Sequence, residues 1–142
     1  MLVKDVMSHR VVSVSPEEST AVAARLLARH NVGALPVCTA KGRLKGMVTD
    51  RDIVLRCVAA DENPERMKVS EIMTRRVISV GEEEEAKIAT ELMAREQIRR
   101  LPVEKDGKVI GMVSLADFAT VPNYTAEAAE ALCEISSNTK KL

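Results

Sequence analysis

The chain is written twice. Val3-Lys4-Asp5-Val6-Met7-Ser8 is echoed by Val69-Ser70-Glu71-Ile72-Met73-Thr74, and Val11-Val12-Ser13-Val14 by Val77-Ile78-Ser79-Val80 at the same offset. Leu35-Pro36-Val37 returns as Leu101-Pro102-Val103. After one extra residue in the first copy's turn, Gly46-Met47-Val48-Thr49 returns as Gly111-Met112-Val113-Ser114. Ordered matches of this kind mark an internal duplication. Residues 1–62 form the first copy, 63–121 the second and 122–142 a tail, with Asn63-Pro64 at the joint. Any fold for this chain must build one small unit two times.

The order of elements inside each copy is legible. A short helical turn at Val3–Met7 precedes an apolar strand, Val11–Val14. Ser15-Pro16-Glu17-Glu18 has the form of a helix start: Ser as N-cap, Pro in the first turn, Glu three after the cap. Val22, Ala23, Leu26, Leu27 and His30 recur at helical spacing. Asn31 and Gly33 end that helix. A buried strand, Leu35–Cys38, leads through a turn at Lys41-Gly42 to a second strand, Leu44–Val48, and a helix from Asp50 to Ala60. In the second copy Glu82–Glu85 opens the first helix, where carboxylates are favoured by the macrodipole. Ile88, Ala89, Leu92 and Met93 form its stripe, and Asp106-Gly107 makes the hairpin turn. In the tail, Ala128, Ala131, Leu132 and Ile135 give a helical stripe over Thr125–Ser136, ready to pack on its own chain or on another.

Composition narrows the functions. Lys plus Arg number 21 and Asp plus Glu 21, so no global positive field favours nucleic acid. Phe118 and Tyr124 are the sole aromatics, which removes a base-stacking surface. No apolar run approaches the ~20 residues of a membrane span, and the N-terminus lacks the pattern of a signal peptide. Cys38, Cys57 and Cys133 are odd in number and widely spaced, as reduced thiols are. The expected compartment is the cytoplasm.

Two copies of a β-α-β-β-α unit, each with an apolar-Pro-Val strand and a Gly-apolar-apolar-Thr/Ser-x-x-Asp corner, resemble the tandem CBS (cystathionine-β-synthase-type) domain pair, or Bateman module. The resemblance covers about residues 3–120. Asn31-Val32-Gly33-Ala34-Leu35-Pro36-Val37 and Gly46-Met47-Val48-Thr49-Asp50-Arg51-Asp52-Ile53 are similar to small standalone bacterial members, some tied to stress or hypoxic responses, and Ile98-Arg99-Arg100-Leu101-Pro102-Val103 is equally typical. The resemblance implies an α/β (α+β) fold of two repeats packed about a pseudo-two-fold, here with a C-terminal helix added. It implies clefts between the repeats that bind AMP, ADP, ATP or another adenosyl compound as a regulatory ligand, with no cofactor required. It further implies a disc-like homodimer, a separate effector protein to read the signal, and no catalysis.

The corner residues suit such a ligand. One carboxylate can accept from both ribose hydroxyls, the use nucleotide folds make of an acidic residue, and Asp52 and Asp117 are the candidates. Thr49 and Ser114 can donate to phosphate, with the free N–H groups and positive end of the following helix in support. Arg51, Arg99 and Arg100 can add charge-assisted bonds, the resemblance placing Arg100 on phosphate. The first copy has Gly33-Ala34 where the second has Arg99-Arg100, so the two sites are chemically unequal. Val12, Ser13, Ile78 and Ser79, with the backbone near Leu35-Pro36 and Leu101-Pro102, would line the base; which copy's strand serves which Asp stays open. The same Thr/Ser-x-x-Asp pattern is also a capping box, and the two roles are compatible. Arg99-Arg100 has a plainer alternative as a solvated surface pair.

Other functions are weaker on the sequence. No nucleophile–base set, Walker-type loop or His/Cys ligand spacing supports an enzyme or a metal site. A thiol- or metal-based stress sensor would have to use the three cysteines and two histidines. A ligand-free dimeric adaptor would use the tail helix as its docking face.

Overall fold

The computed structural model describes residues 1–140, and of 123 and 138–140 the backbone only. The elements are α1 (Thr20–His30), β1 (Ala34–Cys38), β2 (Leu44–Thr49), α2 (Asp50–Ile53), α3 (Val69–Ile72), β3 (Val80–Gly81), α4 (Ala86–Glu96), β4 (Arg100–Lys105), β5 (Lys108–Ser114), α5 (Leu115–Ala119) and α6 (Thr125–Lys140). Helices and strands are mixed, as a duplicated β-α-β-β-α unit requires.

Packing groups the residues differently from the repeat. One compact unit holds Met1–Val11, Ile78–Asp106 and Ile110 onward; the other holds Val12–Val77 with Gly107–Val109. Each repeat's opening turn is therefore counted with the other repeat's body. In the first of these units, Val3 and Met7 are buried with Val80, Ala89, Met93, Leu101, Val103, Val113 and Phe118. In the second, Val69, Ile72 and Met73 join Val14, Ala23, Leu27, Leu35, Val37, Val48 and Cys57.

Glycine makes this arrangement possible. A Cβ on Gly111 would lie 2.7 Å from the carbonyl oxygen of Ser8, and one on Gly46 would lie 2.7 Å from that of Thr74. At both places the opening segment crosses the strand as an antiparallel bridge: Ser8 N–H donates to Met112 O at 2.8 Å and Met112 N–H returns to Ser8 O at 3.0 Å. Thr74 and Met47 make the same pair at 2.8 and 3.0 Å.

Several local expectations are corrected. Ser15 does not cap α1. Its hydroxyl accepts from Glu17 N–H within a turn, and the cap is Ser19, which accepts from Val22 N–H at 3.2 Å. Tertiary bonds decide the matter. Thr20 N–H donates to Met67 O, while the carbonyls of Glu18 and Pro16 accept from Val69 and Ser70, the start of α3. The glutamate run behaves likewise: α4 begins at Ala86, and the carbonyls of Glu84 and Glu82 accept from Val3 and Lys4. Their side chains pair outward, Glu83 with Lys4 at 3.0 Å and Glu82 with Lys105 at 2.9 Å.

The strand expected at Val11–Val14 shrinks to one parallel bridge, Val14 with Val37, whereas its copy yields β3 beside β4. The helix expected from Asp50 to Ala60 is α2 followed by a π-helical turn, Val54–Val58. The tight turns are as read. Asn31 sits left-handed at the end of α1, and Asp106 and Gly107 both take positive φ, 54° and 78°, as a type I′ hairpin turn demands. The tail helix covers its own chain: Ala128, Ala131 and Ile135 are buried in the core with Phe118. Leu132, expected in that stripe, is instead 44% exposed.

Candidate functional site

Each corner is a closed capping box. At the second, Ser114 Oγ accepts from Asp117 N–H at 3.3 Å, and Asp117 Oδ2 accepts from Ser114 N–H at 2.8 Å. At the first, Thr49 Oγ1 and Asp52 Oδ2 make the same exchange, both bonds 3.0 Å long. Strand-to-helix corners end the ladder abruptly, and this reciprocal bonding satisfies two of the orphan donors there.

Most of the free backbone N–H groups expected at these turns are taken. Thr49 and Asp52 donate into the capping box, Asp50 N–H to Gly33 O and Arg51 N–H to the Asp50 carboxylate. At the second corner Leu115 N–H donates to Arg99 O at 3.0 Å, beside the two capping bonds. At the first corner an anion must therefore be held by side chains, whereas at the second Ala116 N–H has no hydrogen-bond partner among the described residues and remains a backbone donor. The capping hydroxyls only accept, so the proton of Thr49 or Ser114 stays available for donation.

The carboxylates keep one oxygen in reserve. Asp117 Oδ1 has no hydrogen-bond partner among the described residues. Asp52 Oδ1 has Thr74 Oγ1 at 3.5 Å, the outer limit of a hydrogen bond. Both aspartates are half-buried.

The other sequence candidates divide between the two packing units. Ile78, Ser79, Arg99, Arg100, Leu101 and Pro102 fall with Ser114 and Asp117; Val12, Ser13, Leu35, Pro36 and Arg51 fall with Thr49 and Asp52. Leu35 and Leu101 are buried at 1% and 0% exposure, so they can offer only backbone. Ser79 Oγ is already engaged, donating to Glu104 Oε2 at 2.6 Å. Ile78 and Val12 rest half-buried against their cores, and Ser13 is exposed. Arg51, Arg99 and Arg100 are exposed and have no ion pair among the described residues.

A cavity of about 530 Å³ opens beside the second corner, within the roughly 300–1,000 Å³ usual for small-molecule sites. Arg99, Arg100 and Ser114 line it together with Ala116, Ala129 and Leu132. The contribution of α6 escapes the sequence reading; the one local signal is Leu132, an apolar residue at the margin of the buried stripe. Among the described residues no three His, Cys, Asp or Glu side chains are placed to hold a metal ion, and no helix is long and apolar enough to cross a membrane.

A model of the CBS domain matches residues 3–58 and again 69–123. The chain belongs to the CBS domain family. The CBS domain-containing protein YhcV of Bacillus subtilis is 42% identical over 134 residues, 94% of each chain. Hypoxic Response Protein I, whose crystal structure has two coordinated zinc ions, superposes with a TM-score of 0.80 at 32% identity over 85% of this chain and 98% of that one. The CBS domain pair of protein MJ0100, in complex with 5′-methylthioadenosine and S-adenosyl-L-methionine, gives 0.74 at 32% identity over 84% and 93%. Both CBS matches end before α6, which is an addition to the repeated unit.

Proposed function

We propose that this CBS pair is a regulatory sensor of an adenosyl compound, held through Asp117 with Ser114, Arg99 and Arg100, and through Asp52, Thr49 and Arg51 at the other corner. Val12, Ser13, Ile78 and Ser79, with the backbone at Leu35-Pro36 and Leu101-Pro102, line the base. The protein acts in the cytoplasm as a homodimer, carries out no reaction of its own, and passes its signal to a separate effector protein.

The observation that carries this reading is the second corner. A carboxylate pinned by its own cap keeps one oxygen open, and its capping partner Ser114 lines a cavity of small-molecule size with two guanidinium groups that have no ion pair among the described residues. The adenosyl ligands of the MJ0100 pair support the same class of compound. A pinned carboxylate suits a ribose because its geometry is set before binding, so less ordering is left to cost affinity.

The test is calorimetry with AMP, ADP, ATP and S-adenosylmethionine on the wild type and on Asp117→Asn. Asparagine keeps an oxygen for the Ser114 N–H, so the fold survives, while the charged acceptor is lost. A hydrogen bond to a charged group is worth about 1.5–3 kcal/mol, so affinity falls roughly ten- to 150-fold. A ligand at 100 times its Kd adds about 2.7 kcal/mol of stability, which a thermal shift detects. The proposal fails if no adenosyl compound binds, or if binding survives in Asp117→Asn and Asp52→Asn undiminished.

A further inference from the structure

The second corner's cavity has a mixed lining. Arg99, Arg100, Ser114 and Thr125 bring its polar side chains, the Thr125 hydroxyl already donating to Val121 O at 3.2 Å. The rest of the lining is alanine and leucine, with Ala129 and Leu132 contributed by α6. Its lining residues include no carboxylate. The two guanidinium groups stand next to each other in sequence and neither is paired with an acid among the described residues, so the lining carries two positive charges and no negative one.

We propose that α6 makes this cavity selective for an adenosyl ligand with a single compact anionic group, a monophosphate, over one with a polyphosphate chain. This rests on the adenosyl reading above and deepens it. A phosphate monoester carries about −1.5 to −2 charges at pH 7, which two guanidinium groups balance. Further phosphates have no third cation in the lining to pair with. They meet the methyl groups of Ala116, Ala119 and Ala129 and the side chain of Leu132, where a charge loses water and finds at most the neutral Ala116 N–H and no cation. Ala116, Ala119 and Ala129 are themselves exposed, so those phosphates keep part of their hydration and the discrimination is moderate. We expect about a tenfold preference for AMP over ATP. Leu132 is the position at which a third cation can be introduced, exposed enough at 44% to be changed without loss of the fold.

The test is calorimetry with AMP and ATP on the full chain and its Leu132→Lys and Leu132→Ala variants, each checked for an unchanged melting curve. The ammonium group introduced by Leu132→Lys would supply the missing cation. An exposed ion pair is worth up to about 1 kcal/mol, so the AMP-to-ATP ratio should fall about fivefold in that variant. Leu132→Ala, which adds room and no charge, should leave the ratio within about twofold of wild type. A wild type that binds ATP as tightly as AMP overturns the proposal, as does a ratio that Leu132→Lys leaves unmoved. Binding of AMP with either of those results refutes the role of α6 alone; no binding of either nucleotide refutes the adenosyl reading with it.

Discussion

Gly111→Ala tests the crossing of opening segment and strand. The added methyl would sit 2.7 Å from Ser8 O and 3.0 Å from Met7 Sδ, where ordinary contact begins near 3.4 Å. Met7 can swing aside; a backbone carbonyl cannot. The bridge must part, and its two bonds of 2.8 and 3.0 Å lengthen toward the limit of useful geometry. Overpacking costs about 1–3 kcal/mol, and weakening two backbone bonds adds up to about 0.5–1.5 kcal/mol each. Against this, Gly111 has no positive φ, so alanine gains about 0.4–1 kcal/mol by restricting the unfolded chain. The balance is a loss of roughly 2–3 kcal/mol. With an unfolding entropy near 2.1 cal/mol/K per residue, that lowers Tm by about 7–10 °C. Gly46→Ala, with its methyl 2.7 Å from Thr74 O, should behave alike. Gly33→Ala is the control, because its nearest neighbour is Asp50 Oδ2 at an ordinary 3.5 Å; it should be neutral or slightly stabilising. Thermal unfolding by circular dichroism reads all three, and hydrogen exchange at the Ser8 and Met112 amides reads the bridge itself. If Gly111→Ala melts at or above the wild-type temperature, the crossing is not the reason for glycine.

Two further outcomes follow from the fold. Ser19→Ala removes the cap of α1 and should cost about 0.5–2 kcal/mol in chemical denaturation, while Ser15→Ala, which touches only a surface turn, should change stability by less than about 0.5 kcal/mol; equal losses would put the helix start back at Ser15. Hydrogen bonds from Lys4 to Glu83, Lys68 to Glu17 and Lys105 to Glu82 raise these lysines above their ordinary pKa of 10.5. A raised folded-state pKa gives stability that is complete below the ordinary value and lost as pH climbs past it. Urea midpoints of wild type and Lys4→Met should therefore run parallel up to about pH 10 and converge above it; curves parallel throughout would exclude the linkage.

What could be read from the sequence was what local chemistry decides. The duplication, the Asn31 helix end, the Asp106-Gly107 turn and both capping corners depend on residues a few places apart, and each is found in place. The misread parts are settled over long distances. Ser15 and Ser19 satisfy the same local rule for an N-cap, and the choice falls to Met67, Glu18 and Pro16, whose backbone groups tie α1 and α3 together. Gly46 and Gly111 read as parts of a turn motif, yet their lack of a side chain answers to Thr74 and Ser8. Which turn N–H groups are occupied could not be read until Gly33 and Arg99 were seen to accept two of them. Leu132 fits the tail's apolar period as well as Ile135 does, and only packing shows that one lines a cavity and the other the core.

The duplication invites the view that the two corners do the same work, and the residues around them argue otherwise. Asp52 shares its second oxygen with the Thr74 hydroxyl at 3.5 Å. The counterpart of Thr74 is Ser8, whose hydroxyl accepts from Arg10 N–H at 3.3 Å instead, and Asp117 keeps its oxygen open. Gly33-Ala34 occupies the place of Arg99-Arg100, which leaves Arg51 as the one guanidinium on the first corner's own turn. A monophosphate of nearly two negative charges meets two guanidinium groups at the second corner and one at the first, with one aspartate at each. We therefore expect one tight site per chain and a larger affinity loss from Asp117→Asn than from Asp52→Asn, by about fivefold or more for a difference near 1 kcal/mol. Calorimetric stoichiometry decides it: two equal sites, or equal losses in the two variants, would mean that the corners are functional copies and that Thr74 and the missing arginines are of no consequence to binding.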